Sequence, residues 1–306
     1  MNRSSVFAVV ISLSFLLSVL ASSGSIVLSS GEMEGHSDFL IRALSDKGIV
    51  ITEEESGEFV NLAHHAALEI YPNNRSEYAS FRDSLLQNLV QVRGHDVVIV
   101  YSSGGWGKTP MDEALEREGW GEIVTDIMSK LTEWERDPQI IEHMRTGETV
   151  AEKVDEIKET LAEYPFKSQV LAKKIEFLTQ VNPHTMFIIT GVSQGAAYNN
   201  AVMRLLASNK LVYSIEIAKP FYSQDFEGER MLFIKNDDIC PDSVVEGNIT
   251  QLATAFVSGL FKWTMGGCSD GLGGYIQPSG HDYEGALVVV KAQIADFLWE
   301  NFGEGN

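Results

Sequence analysis

Gly191-Val-Ser193-Gln-Gly195 is a Gly-x-Ser-x-Gly pattern. An apolar run, Met186-Phe-Ile-Ile-Thr190, precedes it, and a stretch with helical spacing, Ala196 to Ala207, follows. A serine so flanked stands on a tight corner between strand and helix, its hydroxyl lifted above the sheet end. Glycines are needed on either side because a Cβ there would meet the crossing strand and helix. The backbone N–H of Gln194, at the helix start, points toward the place where an oxyanion would develop. The chemistry this pattern serves is attack on an acyl carbon, with Ser193 as nucleophile.

A serine hydroxyl is a weak nucleophile until a base takes its proton. Around an elbow of this kind the partners follow in chain order, acid and then histidine. The histidines are His36, His64, His65, His95, His143, His184 and His281, and only His281 comes after Ser193. It stands in Pro278-Ser-Gly-His281-Asp-Tyr, ahead of the last amphipathic stretch. The acid should follow a strand lying between the two. Met231-Leu-Phe-Ile-Lys235 reads as that strand, and Asn236-Asp237-Asp238 comes directly after it. Either aspartate could accept a hydrogen bond from the base and stabilise the imidazolium. Asp225 and Glu227, after the preceding strand, are outsiders. His64-His65 has the look of a metal pair, but neighbours on a helix face different ways, so it reads as a half-buried helix feature.

These residues need a parallel sheet to hold them. His95-Asp-Val-Val-Ile-Val-Tyr101, Met186–Thr190, Val212-Tyr-Ser-Ile-Glu-Ile217 and Met231–Lys235 are short apolar, β-branched runs typical of buried strands. Helical spacing marks Ser37–Leu44, Glu53–Ile70, Glu77–Val92, Met111–Leu131, Val150–Gln180 with a break at Pro165, Gln251–Met265 and Glu284–Phe302. Strands alternating with helices imply an α/β fold, a mostly parallel sheet covered on both faces. Residues 24–306 read as a single domain, with a helical N-terminal portion over 24–94 and a catalytic core over 95–306. The residues from the leader to about Gly35 are small and polar and read as a linker.

The chain has 306 residues, with 23 Lys and Arg against 43 Asp and Glu, for a net charge of −20. That excess argues against a nucleic-acid partner, whose phosphates need clustered cations. It also discourages docking on anionic membranes. With 44% apolar residues the composition is globular rather than disordered. Residues 1–23 carry one charge at Arg3, an apolar run from Val6 to Ala21 and a small-residue exit, the layout of a secretory signal peptide. The mature chain is then expected outside the cytoplasm. The alternative is an uncleaved N-terminal membrane anchor. An oxidising compartment would allow a Cys240–Cys268 disulfide, with free thiols equally open. Asn74-Arg-Ser and Asn248-Ile-Thr fit the glycan acceptor pattern.

Thr190-Gly-Val-Ser-Gln-Gly-Ala196 resembles the elbow of serine esterases of the α/β-hydrolase superfamily, and its Ser-Gln-Gly-Ala form is most similar to cutinases and related secreted esterases. Asp238-Ile-Cys-Pro241 resembles the Asp-x-Val-Cys of cutinases and the Asp-Ile-Val-Pro of class 3 lipases, and His281-Asp-Tyr283 is similar to the region those families place at the base. The resemblance runs from about Asp96 to the C-terminus. It implies an α/β-hydrolase fold and a Ser193–Asp238–His281 triad, with Asp237 as the alternative acid. It further implies an acyl-enzyme intermediate on a carboxylic ester or lipid, without metal or organic cofactor. The second oxyanion donor would come from Tyr101-Ser-Ser-Gly-Gly-Trp-Gly107, as Gly104 or Gly105. The chain departs from those families at Val192, where they carry His or Tyr. It departs also in an Asp238-to-His281 spacing longer than in cutinases and closer to class 3 lipases.

Two other readings compete. Ser102-Ser-Gly-Gly-Trp-Gly-Lys108-Thr109 is one residue short of a phosphate-binding loop and lies between a strand and a helix, which would make a nucleotide-binding domain. Against it, Ser102 replaces the first glycine, and Pro110 removes an N–H where phosphate would bind. The chain could also be a catalytically silent hydrolase fold used for binding. Within the esterase reading, Leu252, Phe256, Leu260 and Trp263 make an apolar stripe over 251–265, either a lid or a core helix. Chain length of the substrate, alcohol moiety, thioester activity and oligomeric state are not legible.

Overall fold

Two Ser/Thr-x-x-Glu boxes start the first helices. A computed structural model of the chain describes residues 26, 29–102, 139–144, 155, 158–159, 161–223, 226–235, 242–248, 250–255, 258 and 287–303. Ser29 Oγ accepts the N–H of Glu32 at 3.3 Å while Glu32 Oε2 accepts the N–H of Ser29 at 3.0 Å, and helix α1 runs over Ser30–Ser45. Thr52 and Glu55 make the same reciprocal pair, 3.1 and 2.9 Å, ahead of α2, Glu53–Ile70. Each box satisfies two otherwise orphaned donors. The linker expected through Gly35 is therefore corrected: from Ser30 onward it is helix, and the signal was the Ser29-x-x-Glu32 box. Helix α3 is Arg75–Val92. Asn74 begins it, its Oδ1 accepting the N–H of Glu77 at 3.3 Å.

The chain divides into two compact units between Gln91 and Val92. In the first, Leu40 and Leu44 of α1, Phe59, Val60 and Ala63 of α2, and Tyr78, Leu85 and Leu89 of α3 are buried. Helices α1 and α2 meet at a serine pair: Ser37 Oγ donates to Ser56 Oγ at 2.9 Å, and Ser56 Oγ donates to the Ser37 carbonyl at 3.0 Å.

The second unit is built on a five-stranded parallel sheet. Its strands are β1 Val97–Ser102, β2 Gln139–Met144, β3 Met186–Val192, β4 Val212–Ile217 and β5 Met231–Ile234, and they lie in the order β2-β1-β3-β4-β5. The α/β class and the parallel sheet expected from the four apolar runs are what the chain forms. Strand β2 was not foreseen. It pairs with β1 from Val98↔Gln139 to Ser102↔Met144, with a register shift between Tyr101 and Ser102. Its six residues, Gln-Ile-Ile-Glu-His-Met, hold a single apolar pair and lack the continuous apolar run that marked the others.

Side chains alternate strictly across the sheet. On one face Val97, Ile99, Ile188, Val192, Ile215, Ile217 and Ile234 pack against Val290, Ile294, Phe297, Leu298 and Phe302 of the last helix, α6, Leu287–Phe302. The α6 side chains recur at three- and four-residue spacing, one stripe of the helix. On the other face lies α5, Gln194–Leu205, in contact with β1, β3 and β4. Helix α4, Phe166–Val181, packs on α5, where Ser168 Oγ donates to the Tyr198 carbonyl at 3.0 Å. Pro165 stands at the N-cap of α4, a position compatible with a fixed φ and no N–H. Residues 251–255 and 258 are helical, as their spacing suggests; the rest of 251–265 is outside the described residues.

Candidate active site

The strand–serine–helix corner is present. Strand β3 ends at Val192, α5 begins at Gln194, and Ser193 between them has φ 52° and ψ −117°. That positive φ is costly for a residue with a Cβ, on the order of 1–3 kcal/mol, and it persists only where surroundings impose it. Three contacts impose it here. The N–H of Ser193 donates to the Ile217 carbonyl at 2.8 Å, and the Ser193 carbonyl accepts from the N–H of Ala197 at 3.2 Å. Third, Gly191 lets α5 close on β3. A Cβ at Gly191 would stand 2.7 Å from the Gly195 carbonyl carbon, 2.8 Å from Asn199 Nδ2 and 2.9 Å from the Ala196 nitrogen. The need for the flanking glycine is therefore steric, as the motif implied.

Serine is among the best helix caps, yet Ser193 makes no side-chain cap bond to α5. Its side chain is not spent on the helix start. Ser193 is 8% exposed, and Gln194 through Met203 are all buried, so the elbow sits in a water-poor setting. The N–H of Gln194 belongs to the first turn of α5, where backbone donors point out of the helix start. An anionic oxygen there would gain from the positive end of the helix as well. Both features suit charge development beside Ser193.

Of the expected site residues, Ser193 and Gln194 are described and adjoin one another at the elbow. Asp238, its alternative Asp237, His281, Gly104, Gly105, Cys240 and Cys268 lie outside the described residues, as do Lys108 and residues 1–23, where a leader is expected. Strand β5 closes at Ile234, and β4 separates it from β3 in the sheet.

Below the elbow the α5 face carries polar groups that pattern reading passed over. Ser102 Oγ donates to Asn199 Oδ1 at 2.7 Å, both residues buried. Glu216, buried in the middle of an apolar strand, accepts from Asn200 Nδ2 at 2.9 Å and from Ser214 Oγ at 3.1 Å. Asn200 also donates to the Phe226 carbonyl at 2.8 Å and accepts the Phe226 N–H at 3.0 Å. A buried carboxylate requires such donors. The signal was legible: Asn199-Asn200 on the buried face of a helix and Glu216 in an apolar run each break their pattern. Asp242 is buried too, its Oδ1 accepting the N–H groups of Val244 at 2.9 Å and Val245 at 3.3 Å, which fixes a turn.

His64 Nδ1 lies 2.5 Å from the hydroxyl of Tyr78, and the imidazole rings of His64 and His65 are 5.3 Å apart and tilted. Among the described residues no cluster of three or more His, Cys, Asp or Glu side chains could hold a metal ion. Among them, no helix is long and apolar enough to cross a membrane.

The fold and elbow together define a parallel α/β protein with a buried serine at a strained strand-to-helix corner. No family model matches the chain, and no curated protein matches it. A solved structure, Trichoderma reesei cutinase in complex with a C11Y4 phosphonate inhibitor, is similar to it with a TM-score of 0.39 and 13% identity. The match covers 86% of this chain and 97% of the cutinase chain.

Proposed function

We propose that the chain is a serine hydrolase of carboxylic esters that works through an acyl-enzyme. The observation that carries this reading is the backbone of Ser193, held at positive φ between β3 and α5 with its side chain withheld from helix capping. The order of residues in the chain supplies the partners. Ser193 Oγ attacks the ester carbonyl as His281 takes its proton, and Asp238, or Asp237, orients His281 and stabilises the imidazolium. The N–H of Gln194 and a second donor from Gly104 or Gly105 hold the tetrahedral oxyanion. His281 then protonates the leaving alcohol, and water releases the acyl group by the same steps. With residues 1–23 read as a secretory leader, this activity would belong outside the cytoplasm, or to a membrane-anchored form if the leader is not cleaved.

Labelling with a fluorophosphonate, beside hydrolysis of p-nitrophenyl esters of increasing chain length, tests it. Wild-type chain should be labelled and active, and Ser193→Ala should be neither. A folded wild-type chain that takes no label and cleaves no ester overturns the reading. The chain-length profile separates esterase from lipase.

A further inference from the structure

The Ser102–Asn199 hydrogen bond has no part in the chemistry above, yet it lies against the elbow. Ser102 is the last residue of β1 and pairs in register with Gly191 of β3. Asn199 lies on α5, and its Nδ2 is 2.8 Å from where a Gly191 Cβ would stand. The 2.7 Å bond from Ser102 Oγ to Asn199 Oδ1 therefore crosses beside Gly191 and joins β1 to α5 just beneath the corner. Both side chains are fully buried.

Stability does not account for this amide. Asn199 Nδ2 has no hydrogen-bond partner among the described residues, and an orphaned buried donor is a net cost. A leucine of similar size would remove that cost but also the directional tie to β1. What the tie can do is resist relaxation. The strain at Ser193 would be relieved if α5 slid or rotated against the sheet, and apolar contacts are non-directional, so directional ties set the register: Asn200 to Glu216 on β4, and Ser102 to Asn199 on β1. A hydrogen bond of fixed length beside Gly191 opposes that slip.

We propose that Ser102 and Asn199 are positioning residues for Ser193: their bond locks α5 against β1 and so keeps the elbow in its strained, attack-ready form. The proposal rests on the reading of Ser193 as a nucleophile. A displacement of about 1 Å at a reacting group can cost on the order of 100-fold in rate, so a modest slip would suffice.

The test uses the full chain with Ser102→Ala, Asn199→Leu, the double variant and Ser102→Thr. Three quantities are measured: the rate of fluorophosphonate labelling, kcat and KM on p-nitrophenyl butyrate, and amide exchange at Gln194 to Ala197. Labelling forms an Oγ–P bond and breaks P–F, with the hydroxyl proton leaving alongside fluoride, so it reads the nucleophile's placement directly. Each single variant should lose about 10- to 100-fold in labelling rate and kcat with KM within about twofold. The double variant should lose no more than the worse single, because one bond is removed once. Its urea midpoint should stay close to wild type, since both polar partners are gone together. Ser102→Thr keeps the hydroxyl and should recover most of the rate. Exchange at the α5 first turn should quicken in both single variants. Wild-type rates in a folded double variant, or additive losses that follow the unfolded fraction, would overturn the proposal. If wild type itself takes no label, the nucleophile reading fails. Exchange then decides the clamp alone, and unchanged protection in the single variants sinks it.

Discussion

The backbone N–H of Ser193 donates to the carbonyl of Ile217, 2.8 Å away, so the residue that leaves β3 is pinned by the last residue of β4. One strand along, Ala218 leaves β4 at φ 56° and donates to the carbonyl of Ile234, the last residue of β5, at 2.9 Å. These are the only two positive-φ residues other than glycine among the described residues. Both stand where the chain leaves a strand, and neighbouring strand ends impose the conformation on both.

That strain is measurable at Ser193. Ser193→Gly and Ser193→Ala both remove the hydroxyl, but only glycine tolerates the positive φ. Strain relief of about 1–3 kcal/mol, less about 0.5–1 kcal/mol for the extra freedom of unfolded glycine, should leave Ser193→Gly about 1 kcal/mol more stable than Ser193→Ala. Urea unfolding of the two variants gives the difference. Equal midpoints would mean that the elbow is not strained.

Gly191→Ala should behave oppositely. Its new Cβ meets backbone at Gly195 and Ala196 rather than the yielding end of a side chain. Overpacking against backbone costs about 1–3 kcal/mol. A lower melting temperature is expected, together with slower fluorophosphonate labelling as α5 is pushed away. A variant as stable as wild type would show that the helix and strand have room to part.

Asn200→Leu leaves the buried Glu216 without its amide donor and frees both polar atoms of Phe226. Removing a donor from a buried acidic side chain is expensive, and a loss of about 3 kcal/mol is expected. Pairing the change with Glu216→Gln should return part of it. A stability loss below about 1 kcal/mol for Asn200→Leu would mean that Glu216 finds its donors elsewhere.

Lys174 sets an alkaline dependence. Burial of its ammonium lowers its pKa from the ordinary 10.5 to about 8. Between pH 8 and 10.5 the unfolded chain holds a proton on this group that the folded chain has released. Stability from this group therefore rises with pH across that window and is lost as pH falls to 8. Lys174→Met should stabilise the chain at pH 7 and flatten the slope above pH 8. An unchanged slope of urea midpoint against pH would refute the assignment.

His64 sets an acid dependence in the helical unit. Desolvation first, then the nearby His65 and Arg82, hold its pKa below 6.5. The unfolded chain takes up the proton before the folded one does, so this contribution is complete above pH 6.5 and lost as pH falls beneath it. Burial also raises the pKa of Tyr78, whose hydroxyl shares a 2.5 Å hydrogen bond with His64 Nδ1. His64→Gln should shift the midpoint less than wild type does between pH 7 and 5, read by urea titration of the full chain. The same shift in the variant would rule His64 out as the source.

Legibility followed the strength of the periodic signal. The bounds of α2 and β4 coincide with their apolar patterns, because each buries one regular stripe or a continuous run. Strand β3 extends to Val192 and α5 starts at Gln194, each two residues beyond the reading, because the corner is a single residue wide. Strand β2 was invisible: its half-polar hexamer owes its place to pairing with β1. Helix α1 starts ahead of its apolar spacing because its first turns are polar and are set by capping, not by burial. At the site, Ser193 was readable from two glycines and their flanks. Asn199, Asn200 and Glu216 each interrupt an apolar pattern, but their pairing with one another and with Ser102 is not readable, because only the β1–β3–β4 register brings the partners together.

The caps that start α3 and the helix at residue 250 have one further consequence. Asn74 Oδ1 takes the N–H of Glu77, Asn248 Oδ1 takes that of Gln251 at 3.1 Å, and both residues are exposed. These are also the two asparagines of the Asn-x-Ser/Thr sequences. A sugar is joined through Nδ2, the other atom of the same amide, and would leave the capping oxygen untouched. Carbohydrate at either position would thus spring from the rim of a helix already begun, as a stiff mast rather than a loose tether.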